Sequence, residues 1–482
     1  MSVGMETQTR PYRLGEYHSF SAAGSEFLYL VPSGSIFAVE GIAKLVIELL
    51  GSGEMPREAL VAKLLELGCL REEVENTLQE LTEVDALQCD LQKKEPLAVP
   101  VQEFPLQRIV LNTTNQCNLA CTYCYEYSED KIAQSAGKEK FMSREIAEAS
   151  VEMLIQESAH RPNLHVTFFG GETLLNFTVM RSTVEYAKRR GEEEGKKVEF
   201  SLTTNGTLLT EEIVDFLSEH RIGVTVSMDG DKELNDRQRV FHDGKGSYDV
   251  LVPKVKQLLK RHRTNSIGAR VTLTAGVSDV RRIYRHLTQE VGFQAVGFAP
   301  ATASPQRLYH IGGQKMDSIL DQFAELAAEY RDYALQNRQH GFTNASDTLK
   351  ELHTGISKAY ACGAGLGMLG VGTEGNVGLC HRFVDSPIGK MGSIKEGGID
   401  KTARREFLNT HHIGARYDCH TCWARPVCAG GCYHEAYINQ GNTSAANLHH
   451  CDWIRGWNDV CLKVYGEIAI RNPEFLNRFA EN

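Results

Sequence analysis

Three cysteines, Cys117, Cys121 and Cys124, lie close together in C-x3-C-x2-C spacing. The apolar run within residues 107–112 predicts a buried strand, so that the three thiols lie on a tight loop at a strand end. Iron–sulfur cubes and structural zinc sites close with four ligands. A [4Fe–4S] cluster held by three thiolates keeps one iron open for a further ligand. A zinc knuckle and three unrelated core cysteines are the alternatives.

A larger group of cysteines occupies the C-terminal third. Cys362 is followed by a glycine and Cys380, and then come a C-x2-C-x5-C-x3-C run and one further cysteine. Clusters at such short spacing indicate metal binding rather than disulfides, either as iron–sulfur clusters or as a pair of zinc sites. The later members are Cys419, Cys422, Cys428, Cys432 and Cys451. Three cysteines outside these patterns are predicted to be core residues: Cys69, Cys89 and Cys461.

Composition limits the class of protein. The chain has 482 residues, enough for about two to four domains, and its net charge of −10 argues against a nucleic-acid partner. Its apolar runs are shorter than a bilayer span, and residues 1–10 are polar, unlike a signal peptide. We therefore expect a cytoplasmic protein without a membrane partner, in a compartment where thiols stay reduced.

Residues 1–95 are predicted to form a winged-helix-like domain. Short strand patterns flank a turn at 32–34, and three amphipathic helical patterns follow. This layout resembles the element with which many peptide-modifying enzymes hold a leader peptide, so we expect a leader-recognition domain. A packing domain and a DNA-binding winged helix are the alternatives, and acidic residues on the helices argue against DNA binding. The prolines of residues 93–105 indicate a linker. The strand patterns cover 26–31 and 35–39, and the helical patterns cover 41–50, 57–67 and 72–83.

Residues 106–310 show six alternating strand and helix patterns. This alternation predicts an α/β fold with a parallel sheet, a partial (β/α)6 TIM-like barrel, whose chemistry lies at the C-terminal ends of the strands. The predicted strands are 107–113, 164–169, 198–204, 222–228, 268–274 and 293–299. The predicted helices are 143–159, 178–193, 210–219, 249–263 and 279–291.

The cysteine loop and the strand ends resemble those of the radical S-adenosylmethionine (SAM) enzymes. In that family the open iron chelates SAM, and reductive cleavage yields a 5′-deoxyadenosyl radical that abstracts a substrate hydrogen. The resemblance implies that Tyr123 lies against the adenine. The Gly170-Gly171-Glu172 turn matches the family's GGEP motif, except that Thr173 replaces the proline, and the resemblance implies that this turn contacts the amino group of SAM. Polar strand ends at Asn205 and Ser227 would bind the ribose or other parts of SAM, and Arg239 its carboxylate.

The C-terminal cysteines resemble the SPASM pattern of radical SAM peptide maturases, which implies a SPASM domain over residues 311–482 with two auxiliary iron–sulfur clusters. The family's assignment of cysteine ligands gives one cluster four thiolates and the other only three, because no cysteine lies between Cys124 and Cys362. The complete set is Cys419, Cys422, Cys428 and Cys451, and the incomplete set is Cys362, Cys380 and Cys432.

Three residues are candidates for a general base near the substrate: Asp229, Asp236 and His381. Either aspartate could instead be a turn or cap residue. His381 stands where the sulfatase-maturing relatives have an aspartate that accepts a proton, which weakens a sulfatase-maturase interpretation.

The arm and the motifs around Cys362 and Cys380 most resemble the maturation proteins of quinohemoprotein amine dehydrogenase. That family joins cysteine sulfurs to methylene carbons of Asp or Glu in the small γ subunit. The resemblance implies a leader-bearing peptide or small subunit as substrate and a flavodoxin or ferredoxin as electron donor. Another thioether-forming maturase and a formylglycine-forming sulfatase maturase are alternatives, and a zinc-binding regulatory protein is an alternative of another class.

Overall fold

The computed structural model describes residues 11–31, 33–51, 53–89, 101, 103–134, 137 and 139–480. Pro32 of the predicted turn and most of the predicted linker lie outside these ranges. No described helix combines the length and apolar character needed to span a membrane.

The N-terminal region contains two small antiparallel sheets and three helices. One sheet has the order β5-β1-β6 and the other β2-β3-β4. The predicted helices and two of the strands coincide with observed elements, whereas β1, β2, β5 and β6 were not predicted. The elements are β1 (Pro11–Leu14), β2 (Tyr17–Ala22), β3 (Ser25–Leu30), β4 (Ile36–Val39), α1 (Gly41–Leu50), β5 (Glu54–Pro56), α2 (Arg57–Glu66), α3 (Arg71–Glu83) and β6 (Leu87–Gln88).

Six parallel strands form the central sheet in the order β12-β11-β10-β9-β8-β7, which confirms the predicted partial barrel. The helix α7 was not predicted. The elements are β7 (Arg108–Asn112), α4 (Arg144–Glu157), β8 (Asn163–Phe169), α5 (Phe177–Glu193), β9 (Lys197–Thr204), α6 (Glu211–Glu219), β10 (Gly223–Ser227), α7 (Lys232–Gln238), α8 (Tyr248–Arg261), β11 (Ile267–Leu273), α9 (Val280–Arg285) and β12 (Val296–Pro300).

Alternation along these strands explains why the barrel has a polar interior. In β8, Leu164, Val166 and Phe168 are buried, while His165 and Thr167 alternate with them on the opposite face. Both of these polar side chains hydrogen-bond to the Ser201 hydroxyl of the neighbouring β9, at 2.8 and 3.1 Å. The apolar face packs under the helices, and the polar face lines the space where a ligand can bind.

The C-terminal region continues the same sheet. Strand β13 pairs in parallel with β7, the strand that leads into the cysteine loop, and β14, β15 and β16 extend it antiparallel. This pairing brings the later cysteines beside the first group. The elements are α10 (Gly313–Ala334), α11 (Thr343–His353), β13 (Met368–Val371), β14 (Asn376–Gly378), β15 (Lys390–Ser393), β16 (Gly398–Ile399), α12 (Lys401–His411), α13 (Arg425–Cys428), α14 (Tyr433–Gln440) and α15 (Leu448–Arg471).

The N-terminal arm is docked on this C-terminal region. Phe20 and Phe27 of the β2-β3-β4 sheet share the main hydrophobic core, while the arm helices enclose a core of their own. A Cβ at Gly466 of α15 would lie 2.8 Å from the Cβ of Ala22, so a glycine lets the helix approach the sheet closely. The arm therefore packs directly against α15.

Candidate active site

A cavity of about 510 Å³ opens at the C-terminal ends of the barrel strands, a volume suited to a cofactor-sized ligand. It is lined by most of the predicted SAM-site residues and by the first three cysteines. Its lining includes Cys117, Cys121, Tyr123, Cys124, Gly170, Gly171, Asn205, Ser227, Arg239 and His381. Glu172, Asp229, Asp236 and the later cysteines lie outside this lining.

Backbone hydrogen bonds fix the cysteine loop against the segment that carries Arg239. Ala120 donates to the carbonyl of Val240 at 2.7 Å, and Thr122 donates to that of Gln238 at 3.0 Å. The Asn205 amide lies 3.8 Å from the Sγ of Cys117, and the Arg239 guanidinium lies 3.8 Å from the Sγ of Cys121. The loop therefore presents its thiols to the cavity with hydrogen-bond donors beside the sulfurs.

These thiols fit a cluster better than a metal-free core. All cysteines of the chain are free of disulfides. Burial raises the pKa of Cys117 to about 11 and that of Cys124 to about 12, so thiolates here require a positive partner such as iron. Within the described ranges, no group of three or more His, Cys, Asp or Glu side chains is arranged to hold a single metal ion. A bound cluster would supply one-electron chemistry at this point.

The glycine pair after β8 is required by the path of the cysteine loop. Gly170 has φ +119°, and a Cβ there would lie 2.4 Å from the carbonyl oxygen of Thr114. At Gly171 a Cβ would lie 2.1 Å from the carbonyl oxygen of Gln116. These contacts explain why both positions are glycine, and they leave the backbone at the cavity wall uncovered.

Glu172 joins two strand ends. Its buried carboxylate accepts hydrogen bonds from the Thr204 hydroxyl and the Asn205 backbone N–H, each at 2.7 Å, and from the Leu174 N–H at 3.1 Å. It thereby fixes the end of β9 relative to the glycine turn. Its direct contact with SAM stays a prediction.

Asp229 is the centre of a buried hydrogen-bond network. Its side chain is fully buried and accepts from the Tyr123 hydroxyl at 2.8 Å, the Gln238 amide at 2.9 Å, the Arg239 guanidinium at 2.8 Å and the Thr272 backbone N–H at 2.8 Å. Such a carboxylate positions Arg239 and Tyr123, two of the side chains predicted to contact SAM. Its role as general base stays a prediction.

The other two candidate bases lie in different surroundings. Asp236 accepts a hydrogen bond from the Tyr248 backbone N–H at 2.8 Å, and its side chain lies against Gly246. It thereby stabilises the start of α8. His381 faces the cavity with its ring 4.4 Å from that of Phe169. Burial and then Arg382 lower the pKa of His381 to about 3, which keeps its imidazole neutral. Base catalysis by either residue stays a prediction.

The later cysteines lie close together, and their division into two sets stays a prediction. The complete set lines a second cavity of about 80 Å³, together with Cys432 of the incomplete set. The members of the incomplete set also lie near one another: burial raises the pKa of Cys380 to about 12, and Cys432 and Cys362 add to the rise. Residues His381 and Arg382, which follow Cys380, line the active cavity and place this set beside it. Cys461 is a core residue, as predicted.

Residues 111–286, which carry the cysteine loop and five of the six barrel strands, match the radical SAM superfamily. This part of the chain is a radical SAM domain. The radical SAM cyclopropyl synthase TigE of Paramaledivibacter caminithermalis is 25% identical over 367 residues, 72% of this chain and 72% of TigE. A cysteine-type anaerobic sulfatase-maturating enzyme of Clostridium novyi is 23% identical over 361 residues, 71% of this chain and 92% of that enzyme.

A solved structure shares the fold of this protein. Native anSMEcpe with bound AdoMet and the Cp18Cys peptide superposes with a TM-score of 0.60 at 20% identity, covering 78% of this chain and 99% of that one. The fold class is thereby confirmed. The cofactor class, [4Fe–4S] clusters with SAM, is confirmed by the superfamily match. The electron donor and the cytoplasmic location stay predictions.

Contacts between the arm and the loop of the complete cysteine set were not predicted. The ring of His18 stacks on that of Trp423 at 3.8 Å, and His18 also bonds to Asp459 at 2.9 Å. Glu16 forms an ion pair with the buried Arg425. Trp423 and Arg425 lie between Cys422 and Cys428, so the enzyme's arm rests directly on a cysteine loop.

Proposed function

We propose that this enzyme is a peptide maturase that joins a substrate cysteine sulfur to a methylene carbon of an Asp or Glu residue. The proposed substrate is the small γ subunit of quinohemoprotein amine dehydrogenase. The observation that carries the proposal is the incomplete cysteine set, which lies beside the active cavity. No cysteine lies between Cys124 and Cys362 to serve as its fourth member.

The geometry around Cys380 supports this chemistry. Cys380 itself is buried, while the next two residues, His381 and Arg382, form part of the cavity wall. Cys362 is exposed, which leaves this side of the set accessible. A substrate thiolate that completes the set would lie near the space where SAM and the target carbon meet, and such positioning accelerates bond formation.

The chain's own residues would orient the reactants. Asp229 fixes the Tyr123 hydroxyl and the Arg239 guanidinium, and the glycine turn leaves backbone groups open to SAM. When bound, the clusters and SAM would supply the electron and the hydrogen-abstracting radical. The barrel surrounds the reacting groups with protein and limits the access of water.

The arm supports a substrate that carries a leader segment. Among the described strands, β4 pairs only with β3, so its outer edge is available for an added peptide strand. Phe37 on β4 is 39% exposed, a large apolar side chain at that edge. A leader bound there would be held by a domain that is itself fixed on α15.

A substitution at the strand edge tests this role. We expect Phe37→Asp to lower the affinity for a leader-bearing peptide by at least tenfold, because the apolar contact is lost and a charge is placed at the edge. Fluorescence anisotropy of the labelled peptide measures this affinity. Uncoupled SAM cleavage should be unchanged. A matched control is Leu70→Asp, which alters an arm side chain that is 65% exposed but lies before α3, away from β4. Equal loss in both variants, or none in Phe37→Asp, would refute leader binding at β4.

Formylglycine formation is the second candidate, favoured by the similarity to the Clostridium novyi enzyme. The two products differ chemically. A thioether consumes one thiol and creates a cross-link, whereas formylglycine carries an aldehyde and leaves the peptide linear.

Co-expression with the γ subunit, followed by intact-mass analysis and thiol alkylation, tests the proposal. We expect the subunit to lose two hydrogen atoms per modified cysteine and to resist alkylation at that cysteine, because its sulfur is bonded to carbon. An unchanged subunit, or one that reacts with an aldehyde probe, would contradict it. The matched control is co-expression with the variant that lacks Cys117, Cys121 and Cys124.

A further inference from the structure

Arg270 is a cation in the active cavity that has no acidic partner among the described residues. It lies on β11 in register with Ser227 of β10 and with Gly297 of β12. A Cβ at Gly297 would lie 3.5 Å from Nη1 of Arg270, so the guanidinium passes over the glycine toward β12. The side chain is exposed to the cavity. No carboxylate of the described residues lies within ion-pair distance of it.

A second cation lines the same side of the cavity. Arg382 donates a hydrogen bond to the Thr302 hydroxyl at 2.6 Å, and its guanidinium lies 5.1 Å from the centre of the Tyr125 ring. Burial, and then the charge of Arg382, lower the pKa of Arg270. The Arg382 side chain is also free of ion pairs with the described carboxylates. The two positive charges therefore repel each other across the cavity in the absence of an anion.

The neighbouring acids have other roles or lie too far away. Asp347 and Glu435 act on Arg270 only at longer range. Glu435 is bonded to His450 at 3.3 Å and to Asn447 at 3.2 Å. Glu126 also lines the cavity, but it forms no ion pair with Arg270 or Arg382 among the described residues. Glu435 also attracts the Arg382 guanidinium, but none of the described carboxylates lies within ion-pair distance of either guanidinium group.

Arg239 provides the contrast within the same cavity. It is bonded to Asp229 at 2.8 Å and lies 3.8 Å from the Sγ of Cys121, beside the expected site of SAM. Arg270 instead extends toward β12, and Arg382 follows Cys380 of the incomplete set. Charges removed from water are costly unless an opposite charge pairs with them, and guanidinium groups match carboxylates in shape.

We propose that Arg270 and Arg382 form a carboxylate subsite that holds the acidic side chain of the substrate residue. The subsite lies between the SAM side of the cavity and the incomplete cysteine set, so a carboxylate bound there keeps its own methylene between the two. The assignment of that carboxylate to an Asp or Glu of the peptide rests on the proposed function. The other source of the same chemistry is the carboxylate of SAM.

Calorimetry on the reconstituted, SAM-loaded enzyme tests the subsite with N-acetyl-aspartyl methylamide and N-acetyl-asparaginyl methylamide as probes. We expect the aspartyl probe to bind at least tenfold more tightly, because a charge-assisted hydrogen bond to guanidinium replaces a neutral one. Arg270→Gln should abolish this preference, and Arg270→Lys should retain part of it. SAM affinity should stay within about twofold of the parent value in both variants.

Arg237→Gln is the matched control, because it removes the same charge from a side chain that is bonded to Glu233 outside this cavity. It should keep the preference for the aspartyl probe. Equal binding of the two probes to the parent enzyme would overturn the subsite. A loss of SAM affinity in Arg270→Gln with the probe preference intact would assign the guanidinium to SAM. An aspartyl preference in an enzyme that leaves the γ subunit unmodified would reject the proposed function and retain the subsite.

Discussion

An enzyme in which Cys117, Cys121 and Cys124 are all replaced by alanine is expected to lose about one third of its iron and all SAM cleavage. Three cubes of four irons would give the parent enzyme about twelve irons, and the triple variant about eight. The reason is geometric: these three thiols line the SAM-sized cavity together, on a loop fixed by backbone hydrogen bonds. Without them no iron remains in the cavity to bind SAM.

Iron analysis after anaerobic reconstitution and chromatographic detection of 5′-deoxyadenosine measure the two effects. The chain offers a matched triple control, Cys69→Ala, Cys89→Ala and Cys461→Ala, which removes as many thiols outside the predicted sets. Its iron content should match the parent value, although the buried Cys461 lowers stability by about 1 kcal/mol when truncated. Deoxyadenosine from the first triple variant, or zinc in place of iron in the parent enzyme, would refute the assignment.

The barrel could be predicted from the sequence because its strands and helices have strong local patterns. Apolar residues recur at every second position in β8 and β9, and the glycine and polar residues that follow mark where each strand ends. Parallel strands then bring these ends to one side. The helix α7 was not predicted because its short polar sequence, KELNDRQ, offers little apolar periodicity.

Contacts between distant segments could not be predicted in this way. Asp229 was a candidate base because it follows a strand, but its partners come from residue 123, from α7 and its end, and from β11. The stacking of His18 on Trp423 joins residues about four hundred positions apart, and no local pattern marks either ring. The sequence did not distinguish Arg270 from other charged residues in strands. Only the folded structure shows which arginine side chains have no described carboxylate beside them.

The incomplete cysteine set leads to the last expected result: a substrate cysteine will bind the open iron before the target carbon reacts. Thiolate is the form that binds iron, and iron binding lowers the pKa of a thiol, so the substrate sulfur would be deprotonated and held in place. Cys362, Cys380 and Cys432 are the three predicted ligands. No cysteine lies between Cys124 and Cys362 to supply a fourth ligand.

Electron paramagnetic resonance of the reduced enzyme, with and without γ-subunit peptide, measures this ligation. We expect the peptide to shift the signal of one auxiliary cluster, and a Cys→Ser peptide to shift it far less, because a hydroxyl is a poor ligand for iron at neutral pH. The two peptides should bind the arm equally, since the leader is unchanged. In a Cys380→Ala variant, which disrupts the incomplete set, the shift should disappear while the complete set keeps its signal. Identical spectra with and without the cysteine peptide, at saturating peptide, would show that a side chain of the enzyme occupies the fourth position. Thiol activation would then require a base, for which Asp229, Asp236 and His381 are the candidates.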